Sequence, residues 1–222
     1  KSNSNQIMEI ETIKLKDDRL LAYSQYGDLD GKPVFFFHGT PGSRVFRPPD
    51  SKTVKHGVRL ITVDRPGYGK STFQPNRRIL DWPEDIRQLA DRLKLGSFYV
   101  AGHSGGGPYV LACAKSLQER VISSSIISSI GPVEAVFLVT GFSTFNRLGL
   151  MYGRYIPWWL WKIMIFSLYH SRSLDPLKDI KRQKGNRPLA DNLLMDDPQT
   201  RENCVQSELE AFKPGLIGLA WD

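Results

Sequence analysis

Ser104 stands inside Gly102-His103-Ser104-Gly105-Gly106, a pentapeptide of the Gly-x-Ser-x-Gly type. An apolar run, Phe98-Tyr99-Val100-Ala101, precedes it, and a helix-like segment, Pro108 to Leu117, follows. Small residues at such a junction permit a sharp strand-to-helix turn that lifts a serine hydroxyl clear of a sheet. The chemistry that suits this arrangement is acyl transfer, with the hydroxyl attacking a carbonyl carbon. The pentapeptide alone is a weak signal, and its flanking elements give it weight.

Acyl transfer also needs a base, a group that orients the base, and donors for the oxyanion. The N–H of Gly105, directly after the serine, is one expected donor. The second should come from a loop after an earlier strand. His38-Gly39-Thr40-Pro41-Gly42 follows the apolar run Val34-Phe35-Phe36-Phe37 and fits that place, with Thr40 N–H as the donor. An ordinary tight turn is the alternative for this segment. His38 and Gly39 are then loop residues beside the substrate, and His38 reads as a brace rather than a base. His103 adjoins Ser104, but the two side chains should diverge on a sharp turn. His56 lies before a strand, and His170 could serve only with Glu134 as its acid. The base and its acid are therefore expected beyond Asp222. Asp64-Arg65-Pro66-Gly67-Tyr68-Gly69-Lys70-Ser71 lacks the order of a phosphate-cradling loop and reads as a structural loop beside the site.

The elements that must carry these residues are legible in the patterning. Ile7 to Leu15 and Leu20 to Tyr26 alternate apolar and polar residues around Lys16-Asp17-Asp18, as an edge hairpin does. Val34 to Phe37 and Leu60 to Val63 are continuous apolar runs that suit parallel strands covered on both faces. Asp81 to Leu95 has helical spacing, with Pro83 near its start and Gly96 to close it. Phe98 to Ala101 is a strand, Tyr109 to Leu117 a helix and Val121 to Ile130 a strand ending at Gly131-Pro132. Strands alternating with helices predict an α/β fold with a mostly parallel sheet. After Pro132 the alternation stops. An aromatic stretch from Tyr155 to Phe166 and a Pro-punctuated polar region read as a helical insertion over the sheet.

Composition sets the outer bounds. Of 222 residues, 41% are hydrophobic and 24% charged, which fits a core-forming globular chain and excludes a disordered one. The net charge of +7 is dispersed, and no Arg/Lys cluster alternates with stacking aromatics, so nucleic acid is not an expected partner. Cys113 sits in an apolar helix pattern and reads as a free thiol; no Cys/His spacing suits zinc, and no metal or organic cofactor is implied. The apolar stretch near Trp158 is too short to span a bilayer and is interrupted by Lys162, so a membrane surface is the less favoured partner. The chain opens on Lys1-Ser2-Asn3 with no secretory apolar core, so a cytoplasmic location is expected.

The three Gly-rich motifs, in this order and spacing, resemble the α/β-hydrolase superfamily, and most of all its capped, small-molecule members related to proline iminopeptidases and epoxide or haloalkane hydrolases. The likeness is strong over residues 8–131. The resemblance implies a parallel-sheet hydrolase core over 1–132, a helical cap over 133–212 and a return toward the core over 213–222. Serine, rather than aspartate, at the turn resembles the esterase, lipase and peptidase branches. The family's order is serine, then an acid after a seventh strand, then histidine after an eighth; those last two strands are expected to be missing here, which would leave Val121 to Ile130 as an exposed edge. The function so implied is hydrolysis of a small, largely apolar ester or amide through an acyl-serine intermediate, with the catalytic apparatus incomplete in this chain. The alternative is a non-catalytic protein, derived from a hydrolase, that binds a hydrophobic ligand or a partner.

Overall fold

A computed structural model describes residues 10–129, 131, 155–182 and 189–221. Within them β1 (Glu11–Lys14), β2 (Leu20–Gly27), β3 (Lys32–Phe37), β4 (Val58–Val63), β5 (Phe98–His103) and β6 (Val121–Ile127) form one sheet in the order β1-β2-β4-β3-β5-β6. β1 and β2 make the expected hairpin, and β2 runs antiparallel to β4. β4, β3, β5 and β6 pair in parallel.

The register of these strands positions the site. Phe37 stands opposite Val63 on one side and Gly102 on the other, and Gly102 stands opposite Ile126. The carboxyl ends therefore finish level, and segments 38–42, 64–71 and 104–106 leave the sheet at one edge. From β3 the sheet grows toward β4 on one side and β5 on the other. Such a switch of direction opens a crevice outside the carboxyl ends.

Both faces of the apolar runs are covered. α2 (Trp82–Arg92) and α3 (Gly107–Ser116) supply Trp82, Ile86, Leu89, Val110 and Cys113 to a core shared with Phe35, Phe37, Ile61, Val63, Phe98 and Val100. Phe36, between Phe35 and Phe37, points the other way and packs with Tyr26 and Leu60. Burying each large side chain contributes about 1.5–3 kcal/mol. Cys113 is a buried free thiol, and burial pushes its ionisation well above the usual range.

Three details differ from the sequence reading. β6 ends at Ile127 rather than Ile130, because Ser128 turns left-handed at φ 44°. α1 (Asp50–Lys55) is an unanticipated helix of a single turn and a half, too short for a periodic signal. α2 ends at Arg92, and Lys94, not Gly96, takes the left-handed conformation at φ 56°. A hydrogen bond from Leu95 N–H to Ala90 C=O, with Leu95 packed on the core, fixes that cap. β6 is the last strand of the described sheet, and its Ile122, Ile126 and Ile127 remain about half exposed.

The remaining described helices are α4 (Trp158–Leu174), α5 (Pro176–Arg182), α6 (Leu189–Asp196), α7 (Pro198–Ala211) and α8 (Ile217–Trp221). The expected core–cap boundary at 132 and the insertion's first part, up to residue 154, lie outside the described residues. Asp197 caps α7 by accepting the Thr200 N–H at 2.7 Å, with Pro198 opening the helix. One face of α7 docks on the segment after β3. Ser43 N–H donates to Ser207 Oγ at 3.0 Å, Ser43 Oγ donates to the Ser207 carbonyl at 2.9 Å, and Arg47 N–H donates to Asn203 Oδ1 at 3.3 Å. Tyr68, from the loop after β4, joins Ile165, Phe212 and Leu219 in a second apolar cluster.

A buried ion cluster completes the docking. Arg44 bridges Asp64, at the end of β4, and Glu210 on α7, the latter at 2.8 Å. Asp64 is fully buried and also accepts the Arg44 and Lys70 amides, at 2.7 and 3.1 Å. Burial pushes the Asp64 carboxyl upward against the pull of Arg44, so its charge depends on that guanidinium. Burial also acts to raise the Glu210 carboxyl, but its ion pairs with Lys213 and Arg44 prevail and hold it below the ordinary carboxylate value.

Removing Arg44 leaves the buried Asp64 carboxylate without its cation and Glu210 with Lys213 alone, so Arg44→Met is expected to lower stability by about 3–5 kcal/mol, read by urea unfolding. Glu210→Gln gives a pH-dependent effect. Its carboxylate stabilises the fold above the unfolded-state pKa of about 4.3, and that contribution fades as pH falls through the lower folded-state value. The stability gap between the wild-type protein and Glu210→Gln should be constant from neutral pH to about 5 and close below about 4; a gap that widens on acidification contradicts this.

Candidate active site

β5 delivers Ser104 to the carboxyl edge, where its backbone takes φ 52°. An L-residue pays about 1–2 kcal/mol for the left-handed region, and a site keeps that strain only where its surroundings impose it. Here they do. The chain passes through one tight turn, Ser104–Gly106, straight into α3, while Ser129 Oγ donates to the Ser104 carbonyl at 2.9 Å.

The loop after β3 lies directly against this turn. A Cβ added at Gly39 would sit 3.2 Å from Ser104 Cβ, a tight contact, so the loop backbone runs close against the serine. A Cβ added at Gly105 would sit 3.2 Å from Thr40 N. Thr40 and Gly105, the two expected oxyanion donors, are thus backbone neighbours beside Ser104.

His38 has both ring nitrogens engaged. Its Nε2 accepts the Arg65 N–H at 3.2 Å, which leaves Nδ1–H to donate to the Gly39 carbonyl at 2.8 Å. The ring is buried edge-on to Tyr68, with centroids 5.1 Å apart. His103 is half-buried with its ring tilted against Phe46 at 5.5 Å, and burial holds its imidazole below the ordinary value, hence neutral at pH 7. His56 is exposed at the end of α1, and His170 is exposed on α4, stacked on Phe166 at 4.6 Å. Glu134, the acid considered for His170, lies outside the described residues.

A cavity of about 230 Å³ opens over Ser104. Thr40, Phe46 and His103 line it from the sheet edge, Tyr169 from α4, and Ser207 and Glu208 from α7. Phe46, Tyr169, Ser207 and Glu208 carry no motif that could have placed them here. Among the described residues, no group of three or more His, Cys, Asp or Glu side chains is placed to hold a metal ion, and no helix is long and apolar enough to cross a membrane.

Residues 32–209 match the family model of the alpha/beta hydrolase fold, and the chain belongs to that family. It is 34% identical over 122 residues to the dihydrolipoyllysine-residue acetyltransferase component of the acetoin cleaving system of Pseudomonas putida, covering 53% of this chain and 32% of that protein. It is 32% identical over 118 residues to proline iminopeptidase of Arabidopsis thaliana, covering 49% of this chain and 30% of that protein. The chain thus spans about a third of the length of these relatives. Epoxide hydrolase VrEH1 from Vigna radiata shares the fold at 20% identity with a TM-score of 0.53, over 66% of this chain and 48% of that one.

If the surroundings impose the Ser104 backbone, Ser104→Gly should release the strain. It is expected to be more stable than Ser104→Ala by about 1 kcal/mol in denaturant unfolding. Equal stabilities would mean that Ser104 is not strained.

Proposed function

We propose that the protein is a serine hydrolase acting on an ester or amide of a small, largely apolar substrate. The carrying observation is the left-handed Ser104 at the end of a central strand, with the Thr40 and Gly105 amides beside it. Backbone strain clusters at active sites, and here it falls on the one serine that a central strand delivers to the cavity. The names of the two relatives, an acetyltransferase component and an iminopeptidase, support acyl-group chemistry.

In this mechanism Ser104 Oγ attacks the substrate carbonyl while its proton passes to a histidine. The carbonyl oxygen takes up the charge and accepts hydrogen bonds from Thr40 N–H and Gly105 N–H. The carbon–heteroatom bond then breaks, the histidine returns the proton to the departing alcohol or amine, and water releases the acid from acyl-Ser104 by the same steps. His38 braces the loop and takes no proton. The proposal assigns the histidine and its orienting acid to chain following Asp222, and gives the helices over the cavity the part of a cap. Phe46 and Tyr169 favour a small apolar acyl group.

A second reading has one observation in its favour: the cavity over Ser104 is lined by the apolar rings of Phe46 and Tyr169. In that reading the cavity binds a hydrophobic ligand without chemistry.

The deciding experiment treats the protein, with whatever its gene encodes after Asp222, with a fluorophosphonate probe. Labelling at Ser104, abolished in Ser104→Ala together with a fall in ester hydrolysis of about 10⁴–10⁶-fold, is the expected result. A folded protein that takes no label refutes the hydrolase reading and leaves the binding one.

A further inference from the structure

Arg65 heads the largest fully buried side chains, with 1% of its surface exposed. A buried guanidinium is costly unless its donors find acceptors in the plane of its fork. Here the acceptors come from both sides of the site. Nη2 donates to the Gly39 carbonyl at 3.0 Å and to Thr40 Oγ1 at 2.7 Å, and Nη1 reaches the Gly105 carbonyl at 3.4 Å. Tyr68 and Tyr109 hold the guanidinium against their ring faces, 5.1 and 4.7 Å from the centroids. The Arg65 backbone N–H meanwhile fixes His38, which in turn holds the Gly39 carbonyl.

One side chain thus joins the loop after β3 to the turn after β5, at the two residues whose amides flank Ser104. We infer that Arg65 is the positioning residue of this site: it sets the separation and tilt of the Thr40 and Gly105 amides without itself touching substrate. The inference rests on the serine hydrolase reading for its catalytic consequence, but the bracing of the two loops can be measured without it. Lysine cannot replace arginine here, because a point charge on a flexible stem does not span three acceptors on two segments. A shift of one oxyanion donor by about 1 Å is enough to lower a rate about 10²-fold.

The test compares Arg65→Lys and Arg65→Met with the wild-type protein, as its gene encodes it, by amide hydrogen exchange and by hydrolysis of p-nitrophenyl butyrate. Exchange at the amides of Gly39, Thr40, Gly42 and residues 104–106 should rise roughly tenfold or more, with β3 and β5 unchanged. The kcat value should fall about 10²-fold with KM held within about threefold. Unchanged exchange at both loops in a folded variant overturns the inference, as does a loss of activity carried by KM. Should Arg65→Met fail to fold, Arg65→Lys is read by the same criteria. If the wild-type protein neither hydrolyses the ester nor takes the fluorophosphonate label, the serine hydrolase reading fails, and the exchange at the two loops alone decides whether Arg65 braces them.

Discussion

The level finish of four parallel strands is the constraint on which everything else in this molecule depends. Because Phe37, Val63, Gly102 and Ile126 share one register, three loops from distant parts of the chain emerge at a single edge. A shift of one residue in β5 would turn its buried face outward and carry Ser104 away from the loop after β3. The apolar pattern of the strands therefore fixes both the core and the placement of the polar groups above it. The strained turn at Ser104 is affordable because the core beneath it is closely packed on both faces.

Above that edge, the groups that hold the loops are buried arginines. Arg44 ties the end of β4 to α7, and Arg65 ties the loop after β3 to the turn after β5. Each guanidinium meets acceptors from separate segments, which a hydrophobic side chain of the same volume could not organise. Desolvating such groups is costly, and the return is fixed geometry among backbones that no sheet or helix ladder connects.

Much of the fold could be read from the chain because its signals are local. The apolar runs of β3, β4 and β5, the alternation of the hairpin and the proline near the start of α2 each act within a few residues. The three loop motifs were likewise visible as motifs. What stayed hidden depends on distant partners. Arg65 reads as one residue of a structural loop until the fold brings Gly39, Thr40 and Gly105 around it. Asn203, Ser207 and Glu210 read as ordinary polar positions of a solvated helix until Arg47, Ser43 and Arg44 meet them. Lys94 replaced Gly96 as the left-handed cap because the packing of Leu95, rather than the freedom of glycine, set the end of α2.

Ser207 has two tasks at once, since its side chain both lines the cavity and bonds Ser43. A change there that widens the cavity also loosens the helix that forms its wall. Variation at this position is therefore under a double restraint. Divergence in ligand preference among descendants of such a chain would run more freely through Tyr169, which reaches the cavity from a different helix.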